Sequence, residues 1–369
     1  MIITSQKVSS EHIRECDMRL FSYRAKCGDA FHLQYEGESG KRRNIFLDMG
    51  HSMTYTQVLK GVISNIVGAS EQIDVLFLSH IHNDHIGGAS RFINDIQKDS
   101  ALGNVVIRWI YNAPRKYDVE ETDDKKAGVL CGIVSGDKVY EHILSHRPTD
   151  LGDVLEGMSF NIDGMIVTIL SPNESKLNLL RRKYSNNRPL CKSETDGVSI
   201  EAGNVKDDYA TLLNEFKTDC FQEDLSIENA SSIAALFEFE DKRVLWLSDS
   251  VPSVIIHSLN KLGYSEANKL PCDAVLLSHH GSAANNSLAL FKMIQCSKYI
   301  ISADGINRHC LPNKETIARI VSASSILPIT LFFNYNDGRL VRMFKQDEPE
   351  YVKSVIDIHY LRDMEGIVF

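Results

Sequence analysis

The sequence predicts an α/β protein built as a four-layer αβ/βα sandwich with a polar insertion. Short apolar runs of strand length alternate with segments of helical period along the chain. This pattern, a strand meander followed by alternating strands and helices, occurs twice. Two similar halves, each a sheet covered by helices, are therefore expected to pack against each other.

The first half begins with a predicted meander and ends in a strand and helix alternation. Its turns are marked by glycine and charged residues, and its longest apolar run is typical of a buried strand. The predicted elements are strands over 18–25, 30–35 and 44–50, a helix over 54–67, a strand over 73–78, a helix over 89–98 and a strand over 105–111.

The second half repeats this order after a segment of different composition. Residues 173–228 are polar, with only short apolar runs, and are predicted to form an insertion within a single domain that covers 1–369. The remaining predicted elements are helices between 127 and 156, strands over 165–170, 232–239 and 244–249, a helix over 252–262 and a strand over 274–277.

Composition narrows the class of protein. Of 369 residues, 43% are apolar, which is enough for one large core. The net charge of -9 argues against a basic protein that coats nucleic acid. The eight cysteines are dispersed without a CxxC pair, so they are expected to be reduced thiols in a cytoplasmic protein. No leader sequence and no membrane span are predicted, and no membrane partner is expected.

The most informative motif is HxHxDH, formed by His80, His82, Asp84 and His85 at the end of the predicted strand 73–78. Such a match arises by chance in roughly one sequence in a thousand of this composition. Imidazoles with a carboxylate suit Zn²⁺, and also Mn²⁺ or Fe²⁺. Strand alternation directs His80 and His82 to one side, and a turn eased by Gly87 and Gly88 is expected to direct Asp84 and His85 to a second position.

Two further strand ends carry residues that suit a metal site. Asp249 follows the apolar run 244–247, where a carboxylate can bridge two cations, although the same residue could cap the helix that follows. The pair His279 and His280 follows the run 274–277. Alternation lets one imidazole face a metal while the other meets substrate, and His279 is the predicted ligand. Ser282 lies in a turn that could hold an anionic oxygen.

These residues together resemble the metallo-β-lactamase superfamily, and most closely the hydrolase domain attached to the ComEC DNA-uptake channel. The resemblance rests on HxHxDH followed by Gly-Gly, on the aspartate after a strand, and on Leu-Ser-His-His-Gly-Ser over 277–282. It covers most of the chain and implies the superfamily's four-layer sandwich, two divalent metal ions and hydrolysis of DNA or another nucleotide substrate. It also implies that Asp48 supports a ligand histidine.

The chain departs from the family pattern at two positions. Asn229 stands where many members have a further histidine ligand, and it is a poor ligand for Zn²⁺. In the late turn, Leu311 replaces a histidine that the family often has, with His309 two residues earlier. The resemblance further implies a closing hairpin around 335–339.

The predicted mechanism uses two ions, Zn²⁺ or Mn²⁺, and a metal-bound hydroxide that attacks a phosphodiester. Asp84 is expected to orient that hydroxide, and His280, Ser282 or His309 to protonate the leaving oxygen or stabilise charge. The predicted ligands are His80, His82 and Asp249 for one ion, and Asp84, His85, Asp249 and His279 for the other.

Two other functions remain compatible with the sequence. One is an ester, lactone or amide hydrolase, because fold and metals do not determine the bond that is attacked. The other is a regulatory or assembly subunit, in which a degraded metal site persists and the insertion 173–228 binds a protein partner. A role in bacterial defence against foreign DNA would fit either a nuclease or such a subunit.

Overall fold

A computed structural model describes residues 18–116, 131–184, 207–307 and 309–369. The first sheet has the strand order β16-β1-β2-β3-β4-β5 within these residues. Its first three strands form an antiparallel meander, and β4 and β5 continue parallel to β3. The strands are β1 (Arg19–Ser22), β2 (Phe31–Glu36), β3 (Arg42–Leu47), β4 (Ile73–Leu78), β5 (Val106–Tyr111) and β16 (Gly366–Val368).

The second sheet repeats this plan. Its order in the described chain is β15-β14-β13-β11-β9-β8-β7-β6, with an antiparallel meander from β6 to β9 followed by parallel strands. The strands are β6 (Ser159–Ile162), β7 (Met165–Ser171), β8 (Ala234–Phe239), β9 (Lys242–Trp246), β11 (Ala274–Leu276), β13 (Lys298–Ile301), β14 (Ile329–Phe333) and β15 (Ile356–Tyr360), and a short parallel pair joins β10 (Leu270–Pro271) to β12 (Ile294–Gln295).

Helices connect the strands. A π-helical turn, Tyr55–Leu59, joins the first two helices. The helices are α1 (Ser52–Thr54), α2 (Lys60–Gly68), α3 (Asn83–Ile96), α4 (Cys131–His146), α5 (Glu174–Tyr184), α6 (Ile227–Ala230), α7 (Pro252–Lys261), α8 (Leu288–Lys292), α9 (Lys314–Ala323), α10 (Gly338–Val341) and α11 (Pro349–Val355). In the part of the chain that the structure describes, no helix is both long and apolar enough to cross a membrane.

The predicted four-layer sandwich is confirmed by how single strands divide their side chains. In β4, Val75 and Phe77 point into a core between the two sheets, while Leu76 and Leu78 pack under helices α2, α3 and α4. In β9, Trp246 enters the core between the sheets and Leu245 packs under the helices of the other side. Alternating directions along a strand thus supply both faces of each sheet with apolar surface, which explains why these strands are almost continuously apolar.

The expected insertion over 173–228 falls partly on 185–206, which lies outside the described residues. Before that gap, Leu177 and Leu180 of α5 pack into the core under the first sheet's helices. After it, Tyr209 and Leu213 pack into the core under the second sheet's helices. The described parts of this polar segment therefore contact both outer layers, and its status as an insertion stays a prediction.

Two local predictions were wrong. The turn expected at Gly87 and Gly88 is helical, because α3 already starts at Asn83. The closing hairpin expected at 335–339 is replaced by the start of α10, and β15 then pairs parallel to β14, which no hairpin connection allows. The early start of α3 matters for the site, because it places Asp84 and His85 on the first turn of a helix.

Candidate metal centre

The sequence-predicted ligands meet where strands of the two sheets end. The chain leaves β4 at Leu78 and passes through His80 and His82 into α3. On the other sheet, β9 leads to Asp249 and β11 leads to the pair at 279–280. A backbone hydrogen bond from Ile233 N–H to the carbonyl of Ser79, 3.0 Å long, joins the two sheets at this point. The site therefore lies across the sandwich rather than on one sheet.

The first cluster consists of His80, His82 and Asp249. Nε2 of His80 lies 2.9 Å from Nδ1 of His82 and 3.6 Å from Oδ2 of Asp249. Nδ1 of His80 faces the Ser79 hydroxyl at 3.0 Å and the Ser232 hydroxyl at 3.3 Å, which orients Nε2 into the cluster. His80 and Asp249 are buried and His82 is half-buried, so the cluster opens to solvent on the side of His82.

The second cluster consists of Asp84, His85 and His280, and Asp249 joins it to the first. Oδ2 of Asp84 lies 3.3 Å from Nε2 of His280 and 3.8 Å from Nε2 of His85. Oδ1 of Asp249 lies 3.4 Å from Nε2 of His85, while its Oδ2 faces His80. The two oxygens of Asp249 thus point to different clusters, which is the arrangement that a bridging carboxylate requires. Asp249 does not cap α7, whose N-cap residue is Val251.

Buried atoms without partners show that these residues fit metal ions. Nε2 of His85, Nε2 of His280 and both carboxylate oxygens of Asp249 are buried, and none of them forms a hydrogen bond within the described chain. Leaving a buried polar group unpaired costs about 1–3 kcal/mol, and more for a charged group. Four such atoms converge here, and nitrogen with carboxylate oxygen is a donor set that binds Zn²⁺ or Mn²⁺.

Buried carboxylates fix the orientation of the ligand histidines. Asp48 accepts hydrogen bonds from Ser79 N–H at 2.7 Å, from the Ser79 hydroxyl at 2.6 Å and from Nδ1 of His85 at 2.7 Å. Asp29 lies 3.2 Å from Nδ1 of His280, which also contacts the carbonyl of Ser302 at 3.1 Å. In both histidines the proton is thereby held on Nδ1, and Nε2 keeps its lone pair toward the cluster.

Asp29 was not singled out by sequence reasoning as a functional residue. It follows Gly28 in the turn between β1 and β2. The structure ties this turn to the site, since Asp29 N–H donates to the carbonyl of Asp84 at 3.1 Å. A Cβ on Gly28 would lie 2.3 Å from that same carbonyl oxygen, so glycine is required for the close approach.

The two adjacent histidines take different roles. Both have left-handed backbone conformations, with φ of 47° at His279 and 56° at His280. His280 joins Asp84 and His85, whereas His279 directs Nδ1 to Oδ1 of Asn285 at 2.8 Å. Nε2 of His279 still lies 3.8 Å from Asp249, at the rim of the first cluster.

Electrostatics of the centre follow from burial and charge together. Burial lowers the pKa of His85, but the carboxylates of Asp249, Asp84 and Asp48 outweigh it and hold the pKa well above the ordinary value. Burial, together with the neighbouring imidazoles of His85 and His82, places the pKa of His80 well below its ordinary value. Excess carboxylate charge therefore gathers around His85, where a cation would be most strongly attracted.

Comparison with known proteins agrees with this geometry. Residues 39–158, about a third of the chain, match the model of the metallo-beta-lactamase superfamily. The matched segment carries the HxHxDH motif and runs from β3 to the start of β6. The chain has the metallo-β-lactamase fold. No curated protein matches the sequence.

The solved structures that are similar to the chain resemble it only distantly. The metallo-beta-lactamase fold protein YhfI from Bacillus subtilis is 9% identical with a TM-score of 0.42, and the match covers 96% of this chain and all of YhfI (100%). The CmlA beta-hydroxylase E377D mutant is 14% identical with a TM-score of 0.37, covering 96% of this chain and 53% of the hydroxylase. A long form RNase Z from yeast is 10% identical with a TM-score of 0.35, covering 79% and 37%.

Three further residues considered from the sequence make contacts of their own, and they are Ser282, His309 and Asn229. The Ser282 hydroxyl accepts a hydrogen bond from Ala284 N–H at 3.2 Å, within its own turn. His309 is exposed and belongs to neither cluster of described residues. Asn229 donates to Asp224 at 2.6 Å and lies 3.4 Å from Nδ1 of His279, while its own Oδ1 is buried without a described partner.

Proposed function

We propose that the protein is a hydrolase that uses two divalent metal ions and cleaves phosphodiesters, with DNA or another nucleotide compound as substrate. The observation that carries this proposal concerns four buried ligand atoms that form no hydrogen bond in the described chain: Nε2 of His85, Nε2 of His280 and both oxygens of Asp249. The two oxygens of Asp249 face different clusters. A carboxylate shared by two cation positions suits a reaction in which both the attacking and the leaving oxygen need stabilisation.

The proposed ligand sets differ from the sequence expectation at one position. His80, His82 and Asp249 would hold the first ion, and Asp84, His85, His280 and Asp249 the second. His280 replaces His279 because its unpaired Nε2 faces Asp84, whereas Nε2 of His279 lies 3.8 Å from Asp249 at the rim. We propose that the site holds two ions and that they are Zn²⁺ or Mn²⁺.

When bound, such ions would act as Lewis acids, activate water and stabilise charge on phosphate oxygens. The protein's own residues prepare this chemistry. Asp48 and Asp29 hold the protons of His85 and His280 on Nδ1 and so keep each Nε2 available. Asp84, whose side chain is 26% exposed, is the carboxylate that can reach the substrate side and orient an attacking water.

His279 takes a supporting position in this proposal. Its Nδ1 is fixed by Asn285 and its side chain is 26% exposed, so Nε2 faces the mouth of the site beside Asp249. There it can contact a substrate oxygen or approach the first ion. Ser282 and His309, which the sequence suggested as catalytic groups, keep that role only as a prediction, and the proposed ligand sets do not include them.

The test combines metal content with turnover. Wild type should contain about two metal ions per chain by mass spectrometry. His280→Ala should lose one ion and most of the hydrolysis of bis(p-nitrophenyl) phosphate and DNA, whereas His279→Ala should keep both ions. His257→Ala, which removes an exposed imidazole on α7, is the matched control and should behave like wild type.

Three outcomes would contradict the proposal. Metal-loaded wild type that cleaves p-nitrophenyl esters but no phosphodiester would indicate an acyl hydrolase. Protein that binds no metal after incubation with Zn²⁺ or Mn²⁺ would indicate the regulatory alternative. Loss of metal in His279→Ala but not in His280→Ala would restore the ligand assignment that the sequence suggested.

A further inference from the structure

A cavity of about 640 Å³ adjoins the proposed metal centre on the side of α3. We call it the Lys26 pocket. Six residues of its lining matter here, and they are Arg24, Lys26, His51, Met53, Asn83 and Tyr335. The proposed hydrolytic reaction does not itself require the two cationic side chains of this pocket, Arg24 and Lys26. The presence of both in the pocket therefore calls for a separate explanation.

The pocket borders the helix that carries Asp84 and His85. Asn83, on its wall, stands between His82 and Asp84 in the chain and begins α3. The segment after β3 packs directly against this helix, since Gly88 N–H donates to the carbonyl of Gly50 at 2.8 Å. His51, which lines the pocket, comes directly after Gly50 at this contact with α3.

The cations of the pocket are available to an anion. The Lys26 ammonium forms no hydrogen bond or ion pair with a described residue, and its backbone N–H is fixed by the Tyr335 hydroxyl at 2.7 Å. Arg24 pairs with Asp363 at 2.9 Å, but the two side chains are 43% and 70% exposed, and pairs of this kind are worth little in water. A phosphate could replace Asp363 at Arg24 at small cost.

The rest of the wall suits an anion attached to a flat apolar group. Met53 is 51% exposed and contributes an apolar surface, and the ring of Tyr335 lies beneath the Arg24 guanidinium at 5.6 Å. On a chain with a net charge of -9, this local combination stands out from its surroundings.

We propose that the Lys26 pocket binds the phosphate and base of the nucleotide next to the scissile phosphodiester in a single-stranded oligonucleotide. The proposal rests on the function proposed above and gives its substrate class. Lys26 and Arg24 bind the backbone phosphate, while Met53 and Tyr335 contact the base. An acyl substrate or a small phosphodiester without a second phosphate would leave both cations unused.

The test measures binding without cleavage. A fluorescein-labelled thymidine 12-mer is titrated with protein in EDTA, and anisotropy gives Kd at several salt concentrations. Lys26→Gln should weaken binding about tenfold and lower the slope of log Kd against log salt by about 0.7, the value for one phosphate contact to a single strand. Arg24→Gln should act in the same direction. Lys353→Gln, an exposed lysine on α11, is the matched control and should bind like wild type.

Lys26→Gln removes the charge, keeps an unbranched polar side chain one atom shorter, and places no new demand on the positive φ of 61° at this position. Thermal unfolding checks that the variant folds. Unchanged affinity in the folded Lys26→Gln and Lys26→Glu variants, or no binding by wild type at low salt, would overturn the pocket assignment. Lys26-dependent binding without cleavage of any phosphodiester by metal-loaded wild type would leave the pocket intact and refute the proposed function. Cleavage of bis(p-nitrophenyl) phosphate together with binding that does not depend on Lys26 would support the proposed function and refute the pocket assignment.

Discussion

Replacing Asp48 by asparagine tests how strongly the protein orients its ligand histidines. The two oxygens of Asp48 accept three hydrogen bonds, one on Oδ1 and two on Oδ2. In Asp48→Asn, the amide nitrogen must take the place of one oxygen. At the Oδ1 position it would face the N–H of Ser79, donor against donor. At the Oδ2 position it would face Nδ1 of His85, which can accept only if the imidazole proton moves to Nε2.

Either orientation weakens the second cluster. Loss of one hydrogen bond to a charged group is worth about 1.5–3 kcal/mol. A proton on Nε2 of His85 also competes directly with a metal ion, because this is the atom that faces Asp249 at 3.4 Å. Substitutions of groups that orient a ligand cost about 10- to 100-fold in metal affinity. We therefore expect the affinity of the second ion to fall by that factor, with a smaller effect on the first.

The assay is a competitive titration against a chromophoric chelator, with stoichiometry from mass spectrometry. Asp74→Asn is the matched control, because Asp74 is also buried and also accepts from a backbone N–H, that of Asn44 at 2.8 Å, but at the far end of β4. It should leave both affinities unchanged. If folded Asp48→Asn bound both ions as tightly as wild type, the orienting role of Asp48 would be refuted.

Two predictions concern stability. Burial lowers the pKa of His32 from 6.5 to about 4, partly offset by its hydrogen bond to Asn44. Because the folded state favours neutral His32, stability should be full above pH 6.5 and fall by about 3 kcal/mol as the pH drops from 6.5 to 4, and urea unfolding of His32→Gln should show a shallower loss. A Cβ on Gly88 would lie 2.1 Å from the carbonyl oxygen of Met49, so Gly88→Ala should destabilise the protein by about 1–3 kcal/mol. Gly61→Ala in α2, with nothing within 4 Å, should instead stabilise it slightly, and equal melting temperatures for the two variants would contradict this reasoning.

The layered fold could be predicted from the sequence because its strands are buried on both faces. Runs such as Ile73–Leu78 leave no polar face, and short apolar runs of this kind are typical of sheets covered by helices. The duplication of meander and parallel strands was also readable, since each half keeps the same order of strand and helix signals. Apolar runs report which segments are buried, and strands that are buried on both faces require a layer on each side.

Positions where the same composition suits two local structures could not be predicted. Asn-Asp-Gly over 336–338 has the composition of a hairpin turn, but the Asp337 carboxylate accepts from Arg339 N–H at 2.8 Å and starts α10. Gly87 and Gly88 have the composition of a turn, but the contacts that require glycine there are with residues 49–52, far away in the sequence. Their missing side chains let α3 approach the backbone of Met49 and Gly50. Composition alone does not distinguish a glycine that bends the chain from one that allows close packing.

The proposed choice of His280 over His279 as ligand depends on local backbone conformation that the sequence does not show. Strand alternation implies that neighbouring side chains diverge, but β11 ends at Leu276, before either histidine. Both histidines then adopt left-handed conformations, which cost about 1–2 kcal/mol for a residue with a Cβ. The hydrogen bond from His279 N–H to the carbonyl of Ser248, 2.8 Å long, holds them there.

Four of the ten non-glycine residues with positive φ in the described chain lie at the proposed metal centre. Asp48 and Ser248, at the ends of their own strands, also have positive φ, 59° and 46°. With His279 and His280 they form a group in which strain coincides with unpaired buried ligand atoms. Strained conformations persist where the surroundings over-determine them, and they concentrate at functional sites. This coincidence supports the proposed metal centre, and the metal content of wild type tests it against the regulatory alternative.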